Sequence, residues 1–231
     1  RQKVQVTVIK TDAETKKELE GAIFGLYAAE DIVNADGKII VAKDTLVEKA
    51  VTGTDGKCVF VSDLPLGQYY VKEIEEPKGY VLNEEIFALE ASYQGDDVKV
   101  IELEATFANY PTKLEISKTD ITGEYELKGA TLSIIDKDGN VVETWKSDGE
   151  THYIERIPVG EYILREEAAP YGYKIANEVK FTVENTKVIQ KVSMKDELVS
   201  GKIIIEKTDE VTGKGIAGVE FEIRDKDGKV I

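Results

Sequence analysis

Cysteine, histidine, methionine and tryptophan each occur once in 231 residues, and these shortages exclude whole classes of chemistry. A single cysteine, Cys58, cannot close an internal disulfide, the usual staple of small secreted β domains. With Val59, Phe60 and Val61 after it in weak alternation, it reads as a half-buried strand thiol. His152 stands in a different unit from Cys58, so no histidine–cysteine metal site is expected, and no metal or cofactor. The glycines are scattered turn residues that form no phosphate-cradling loop, and serine, histidine and aspartate show no nucleophile arrangement. Basic charge is short as well. The 30 lysines and arginines stand against 45 acidic residues, a net charge of −15. That excludes the basic footprint of a nucleic-acid binder and any pull toward anionic lipid. No apolar run approaches the roughly 18 residues of a membrane-spanning helix. Neither end carries a signal or sorting segment, and both read as internal.

What the chain does have is repetition. Lys10-Thr11-Asp12 is followed by Gly21-Ala22, Lys118-Thr119-Asp120 by Gly129-Ala130, and Lys207-Thr208-Asp209 by Gly218-Val219, with 11 residues from lysine to glycine each time. A second phrase occurs twice. Leu64-Pro65-Leu66-Gly67-Gln68-Tyr69 leads to Glu73, Pro77, Gly79 and Tyr80; Ile157-Pro158-Val159-Gly160-Glu161-Tyr162 leads to Glu166, Pro170, Gly172 and Tyr173. Phrases recurring in order at fixed spacing mark a tandem array of one domain type. The expected units are residues 1–111, 112–200 and 201–231. The third, too short to close a core, reads as the opening of a further repeat in a longer array. Links of a few residues predict a stiff string of units.

The local patterns are those of strands. Val4, Val6 and Val8 alternate with polar residues, as do Leu114 with Ile116 and Ile203 with Ile205. Asp-Gly pairs at 36–37, 55–56, 138–139, 148–149 and 227–228 punctuate them as turns. Only Lys43–Ala50 suggests helix, of about two turns. Many short strands with regular turns predict β-sandwiches. The first unit carries an insertion around Ala28 to Thr54 and a longer tail from Ser92 to Val98, where a distinctive binding surface is to be sought.

Alternation also places charge inside. Lys10 shares the phase of Val6 and Val8, and Lys118 that of Leu114 and Ile116. Glu73 follows Tyr69 and Val71, and Glu166 follows Tyr162 and Leu164. Asn109 follows Phe107, and Asp196 follows Met194. Each unit thus aims an amine, a carboxyl and a carboxamide or second carboxyl inward, where charge is costly unless paired. One reading is a buried ion pair or hydrogen-bonded cluster. The other is covalent. Desolvation lowers the pKa of a lysine and raises that of a glutamate, so the pair can rest as neutral amine and neutral acid. A neutral lysine is a nucleophile, and a protonated glutamate can polarise the acceptor carbonyl and relay protons. Amidation at Asn109 would release ammonia, and at Asp196 water.

These phrases resemble the CnaB-type repeats (prealbumin-like, SpaA-like) of Gram-positive surface adhesins and pilins. The likeness rests on Ile9-Lys10-Thr11-Asp12 with Leu19-Glu20-Gly21-Ala22-Ile23-Phe24, Ser117-Lys118-Thr119-Asp120 with Leu127-Lys128-Gly129-Ala130, and the two Glu-x-x-x-Pro-x-Gly-Tyr phrases. It implies tandem Greek-key β-sandwiches of reverse immunoglobulin-like type. It further implies an isopeptide bond from Lys10 to Asn109 with Glu73 as catalyst, and one from Lys118 to Asp196 with Glu166. Glu75 shares the phase of Glu73, but the proline spacing selects Glu73; Glu197 and Asn185 compete with Asp196. Lys207 is expected to be unpaired. The implied role is a structural stalk on the bacterial cell wall, self-processing once rather than enzymatic and monomeric as a fragment. Alternatives are a module binding a host extracellular protein, or a sortase-polymerised pilin partnered by other surface subunits.

Overall fold

A computed structural model describes residues 2–231. Val199–Ile231 forms a compact unit separate from the preceding residues. The first repeat consists of β1 (Lys3–Asp12), β2 (Ile23–Ala28), β3 (Ile32–Val33), β4 (Ile39–Val41), β5 (Leu46–Val51), β6 (Lys57–Phe60), β7 (Gly67–Glu75), β8 (Ile86–Ala91) and β9 (Val100–Asn109). The second has β10 (Lys113–Asp120), β11 (Lys128–Asp136), β12 (Val141–Asp148), β13 (His152–Glu155), β14 (Gly160–Ala168), β15 (Val179–Val183) and β16 (Gln190–Asp196). The chain is all-β, as expected. Among the described residues no helix is long and apolar enough to cross a membrane.

The two repeats share one plan. A three-stranded sheet β6-β1-β9 belongs with a four-stranded sheet β5-β2-β7-β8; the counterparts are β13-β10-β16 and β12-β11-β14-β15. Alternate residues of these strands point inward, as period-two patterning requires. Val4, Val6, Val8, Phe24, Leu26, Tyr69, Val71 and Phe107 build the first core. Leu114, Ile116, Leu132, Ile134, Leu164 and Met194 build the second. In each repeat the first strand is sandwiched between its neighbours, antiparallel to β6 or β13 and parallel to β9 or β16. A strand parallel to the one that opened the domain needs a long connection, and here the rest of the repeat supplies it.

The insertion of the first repeat folds as the β3–β4 hairpin followed by β5. This corrects the helical expectation for Lys43–Ala50: Leu46–Val51 pairs antiparallel with β2, and sheet pairing overrides a weak local helical pattern. Cys58 is buried in β6 rather than half-buried, and burial pushes its thiol up to about 12. His152 lies on β13, stacked on Trp145 with ring centroids 4.2 Å apart and 2.8 Å from Glu143.

In Val199–Ile231 the alternation at Ile203 and Ile205 does not become a strand; that unit shows only the isolated bridges Thr208↔Gly215 and Arg224↔Val230. By the pairing of the first two repeats, an opening strand is completed by strands from late in its own repeat, and residues 201–231 offer none. Local structure forms regardless. The lysine carbonyl accepts a backbone hydrogen bond nine residues on in all three copies, from Leu19, Leu127 and Ile216. The following aspartate caps its own turn, with Asp12 accepting from Glu14 and Thr15, Asp120 from Gly123, and Asp209 from Val211 and Thr212.

Candidate functional site

Register brings the amine to the acceptor. In β1, Lys10 is paired with Phe107 and Asp12 with Asn109, so Asn109 lies two residues beyond the partner of Lys10 and on the same face. The second repeat reproduces the offset: Lys118 pairs with Met194, and Asp196 is two residues further. All six side chains are buried, with residue exposures of 0, 4 and 1% for Lys10, Glu73 and Asn109 and 2, 4 and 0% for Lys118, Glu166 and Asp196. The alternatives lie elsewhere: Glu75, Asn185 and Glu197 are exposed, and Glu197 is bonded to Lys174.

In the first repeat Lys10 Nζ donates to Asn109 Oδ1 and lies 3.2 Å from Glu73 Oε1. The Asn109 amide nitrogen donates to both carboxylate oxygens of Glu73, at 3.0 and 2.8 Å. The glutamate therefore faces the carboxamide nitrogen rather than the carbonyl oxygen, a departure from the carbonyl contact expected from sequence. Phe24 and Phe107 pack against each other at 4.9 Å beside the site, with Lys10 Nζ 5.9 Å from the Phe24 ring. Burial drives the Lys10 amine down to about 8, against the opposing pull of Glu73. Burial likewise raises Glu73, although Lys10 and hydrogen bonds from Asn83 and Asn109 work the other way. Both shifts favour the neutral forms.

In the second repeat Lys118 Nζ lies against Asp196 Oδ1 and 3.0 Å from Glu166 Oε1. Two carboxyls now share one amine. Burial raises Asp196, and the nearby Glu166 charge adds to the rise against the pull of Lys118. Asp196 Oδ2 is buried without a hydrogen-bond partner, while Glu166 Oε1 keeps its ion pair with Lys118. A proton on Asp196, which its raised value favours, would give Oδ2 a hydrogen to share with a neighbour.

The strand phase could not show what orients each glutamate. The backbone N–H of Asn83 donates to Glu73 Oε2 at 2.7 Å, and that of Ala176 donates to Glu166 Oε2 at the same distance; each donor lies ten residues after its glutamate. A backbone donor leaves no residue-type signal, but the equal spacing after two matched phrases could have revealed it. The Pro-x-Gly-x-Tyr phrase has a local purpose as well, since Tyr69 and Tyr162 each donate to the proline carbonyl four residues back. Gly56 is required by close approach: a Cβ there would lie 2.6 Å from the Lys10 carbonyl oxygen, at a φ of +67°. Lys207 is exposed. No group of three or more histidine, cysteine, aspartate or glutamate side chains is placed to hold a metal among the described residues.

Comparison with known proteins adds the following. The family model "SpaA: Prealbumin-like fold domain" matches residues 4–105 and 112–198. The trypsin-resistant surface T6 protein of Streptococcus pyogenes serotype M6 is 30% identical over 95 residues, 41% of this chain and 15% of its own length. The structure of the Bacillus anthracis TIE protein aligns with the whole chain at 26% identity and a TM-score of 0.54, over 41% of its own length. The chain thus spans well under half the length of either relative.

Proposed function

This chain belongs to the SpaA family of prealbumin-like fold domains, and on that premise we propose that its repeats are structural stalk units of a Gram-positive cell-surface adhesin or pilus, each closed by an isopeptide bond of its own making. One observation carries the reading: amine, glutamate and acceptor are buried together, in matching register, twice. Resemblance to a surface protein of Streptococcus pyogenes supports the location.

The reaction follows from the contacts. Neutral Lys10 Nζ attacks Asn109 Cγ, forming the C–N bond as the Cγ–Nδ2 bond breaks. Protonated Glu73, 3.2 Å from Lys10 Nζ and hydrogen-bonded by the departing nitrogen, gives its proton to the leaving group and takes one from the amine. Ammonia departs and Glu73 ends as it began. In the second repeat Lys118 attacks Asp196 Cγ, and Glu166 passes the proton to the leaving oxygen, so that water departs. Fixed contact in a dry site makes an otherwise slow amidation feasible by proximity. The event occurs once per repeat and turns over no substrate.

The bonds span 99 and 78 residues of chain. By the loop-closure argument used for disulfides, each contributes about 4.5 kcal/mol. Tension entering at β1 and leaving through β9 crosses at Lys10–Asn109, which shields the strands between. Cysteine is not needed for this durability.

Intact mass tests the proposal. Loss of ammonia and water lowers the folded chain by about 17 and 18 Da, about 35 Da together. A full sequence mass would sink it. Replacing Glu73 with alanine should keep the fold and abolish the 17 Da loss alone.

A second reading, binding of a host extracellular protein, draws on the β3–β4 insertion, which exposes Val33, Ile39 and Ile40. Deleting residues 31–42 in a parent adhesin that binds host matrix should abolish binding on this reading, and leave it intact if the repeats are spacers.

A further inference from the structure

Residues 77–83 run from the Pro-x-Gly-Tyr phrase to Asn83, whose N–H fixes Glu73. This strap has local attachments that the second repeat copies: Val81 donates to the Tyr110 carbonyl, as Lys174 does to that of Glu197. The first strap has others that come from the second repeat. Arg156 Nε donates to the Tyr80 hydroxyl at 3.0 Å, and that hydroxyl donates to buried Asp12 Oδ2 at 3.0 Å, with Arg156 Nη2 3.5 Å from the same oxygen. Leu82 N–H donates to Asn185 Oδ1 at 2.8 Å. Gly79 lies so close to the Arg156 backbone that a Cβ would collide with it. Thr112, fully buried in the link, ties the sides together: its N–H donates to the Gly79 carbonyl, and its own carbonyl accepts from Arg156 N–H.

The second repeat thus clamps the motif glycine of the first. Asp12 is buried beneath the same contacts. A turn glycine or a capping aspartate needs neither feature. We infer that the second repeat is a positioning partner for crosslinking in the first: Arg156 and Asn185 hold the 77–83 strap so that Asn83 keeps Glu73 between Lys10 and Asn109. This rests on the isopeptide reading above. It implies an order of events in which the first repeat closes efficiently only once the second has docked. Arg156 and Asn185 touch no reacting atom and act through the strap.

The test uses the full chain made by cell-free synthesis, quenched in acid at intervals and weighed intact. The 18 Da loss of the second repeat serves as an internal clock. In the Arg156→Ala/Asn185→Ala variant the 17 Da loss should lag that clock on the order of tenfold more than in the parent, because small misplacement of a catalytic group is costly. Arg156→Lys, which keeps a cation near Asp12, should recover much of the rate, a rescue that general loosening of the fold would not give. Asn185→Ala alone changes an exposed side chain and keeps the test readable if the double substitution disturbs the second repeat. An unchanged ratio of the two losses in these variants overturns the inference. A parent that never loses 17 Da overturns the isopeptide reading instead.

Discussion

Lys10 faces a carboxamide, whereas Lys118 faces a second carboxyl, and the groups around each amine are arranged accordingly. In the first repeat the Asn109 amide supplies two hydrogen bonds to Glu73, so the heavy atoms satisfy one another. In the second, Asp196 Oδ2 is left without a partner while Glu166 Oε1 keeps its ion pair with Lys118. The difference teaches that register is common to the two sites while the group facing the amine varies, and on the proposed reaction the molecule released varies with it.

The comparison can be broken most severely at the acceptors. Asn109→Ala should abolish only the 17 Da loss and Asp196→Ala only the 18 Da loss, each lowering stability by about 4–5 kcal/mol; mass and denaturant unfolding measure the two effects together. Next come the matched glycines. Both are in left-handed backbone, at φ of 82° and 88°, so either alanine substitution is strained. Gly79→Ala should nevertheless cost about 1–3 kcal/mol more than Gly172→Ala, because it also overpacks the repeat junction; comparing thermal midpoints reads this difference.

A smaller effect concerns pH. The competent state of the first site holds one proton on the Lys10–Glu73 pair. A second proton, added as pH falls through the raised Glu73 value, blocks the amine; loss of the shared one, as pH rises through about 8, removes the acid. The rate of 17 Da loss in freshly made chain should therefore be bell-shaped, falling up to about tenfold per pH unit beyond each limb. A rate still climbing at pH 10 would contradict this. The smallest effect is the most diagnostic. In Asp196→Asn the new amide reproduces the carboxamide that faces Glu73 in the first repeat, so the bond should still form, with the loss changing from about 18 to about 17 Da.

Much of this was legible in the residues. Period-two alternation sent Lys10, Glu73 and Asn109 inward because strand geometry allows no other face, and repetition showed that the placement was no accident. What escaped was non-local or carried by backbone. Leu46–Val51 became a strand because β2 offered an edge. Ile203 and Ile205 did not, because a first strand depends on partners from late in its own repeat. The N–H groups of Asn83 and Ala176 have no side-chain signature. The contact of Arg156 with Tyr80 joins residues of different repeats, which alternation within one strand cannot reveal.

The parallel pairing of β1 with β9 has one more consequence. Once Lys10 and Asn109 are bonded, everything between them is a closed ring with the two chain ends attached side by side. A protease that cuts the exposed β3–β4 hairpin opens that ring without dividing the molecule, since the backbone path from residue 9 to residue 110 still runs through the side-chain amide. On a denaturing gel the nicked chain would migrate as one branched species rather than as two fragments, and the outward-facing end would stay tethered through damage that severs an ordinary linear polypeptide.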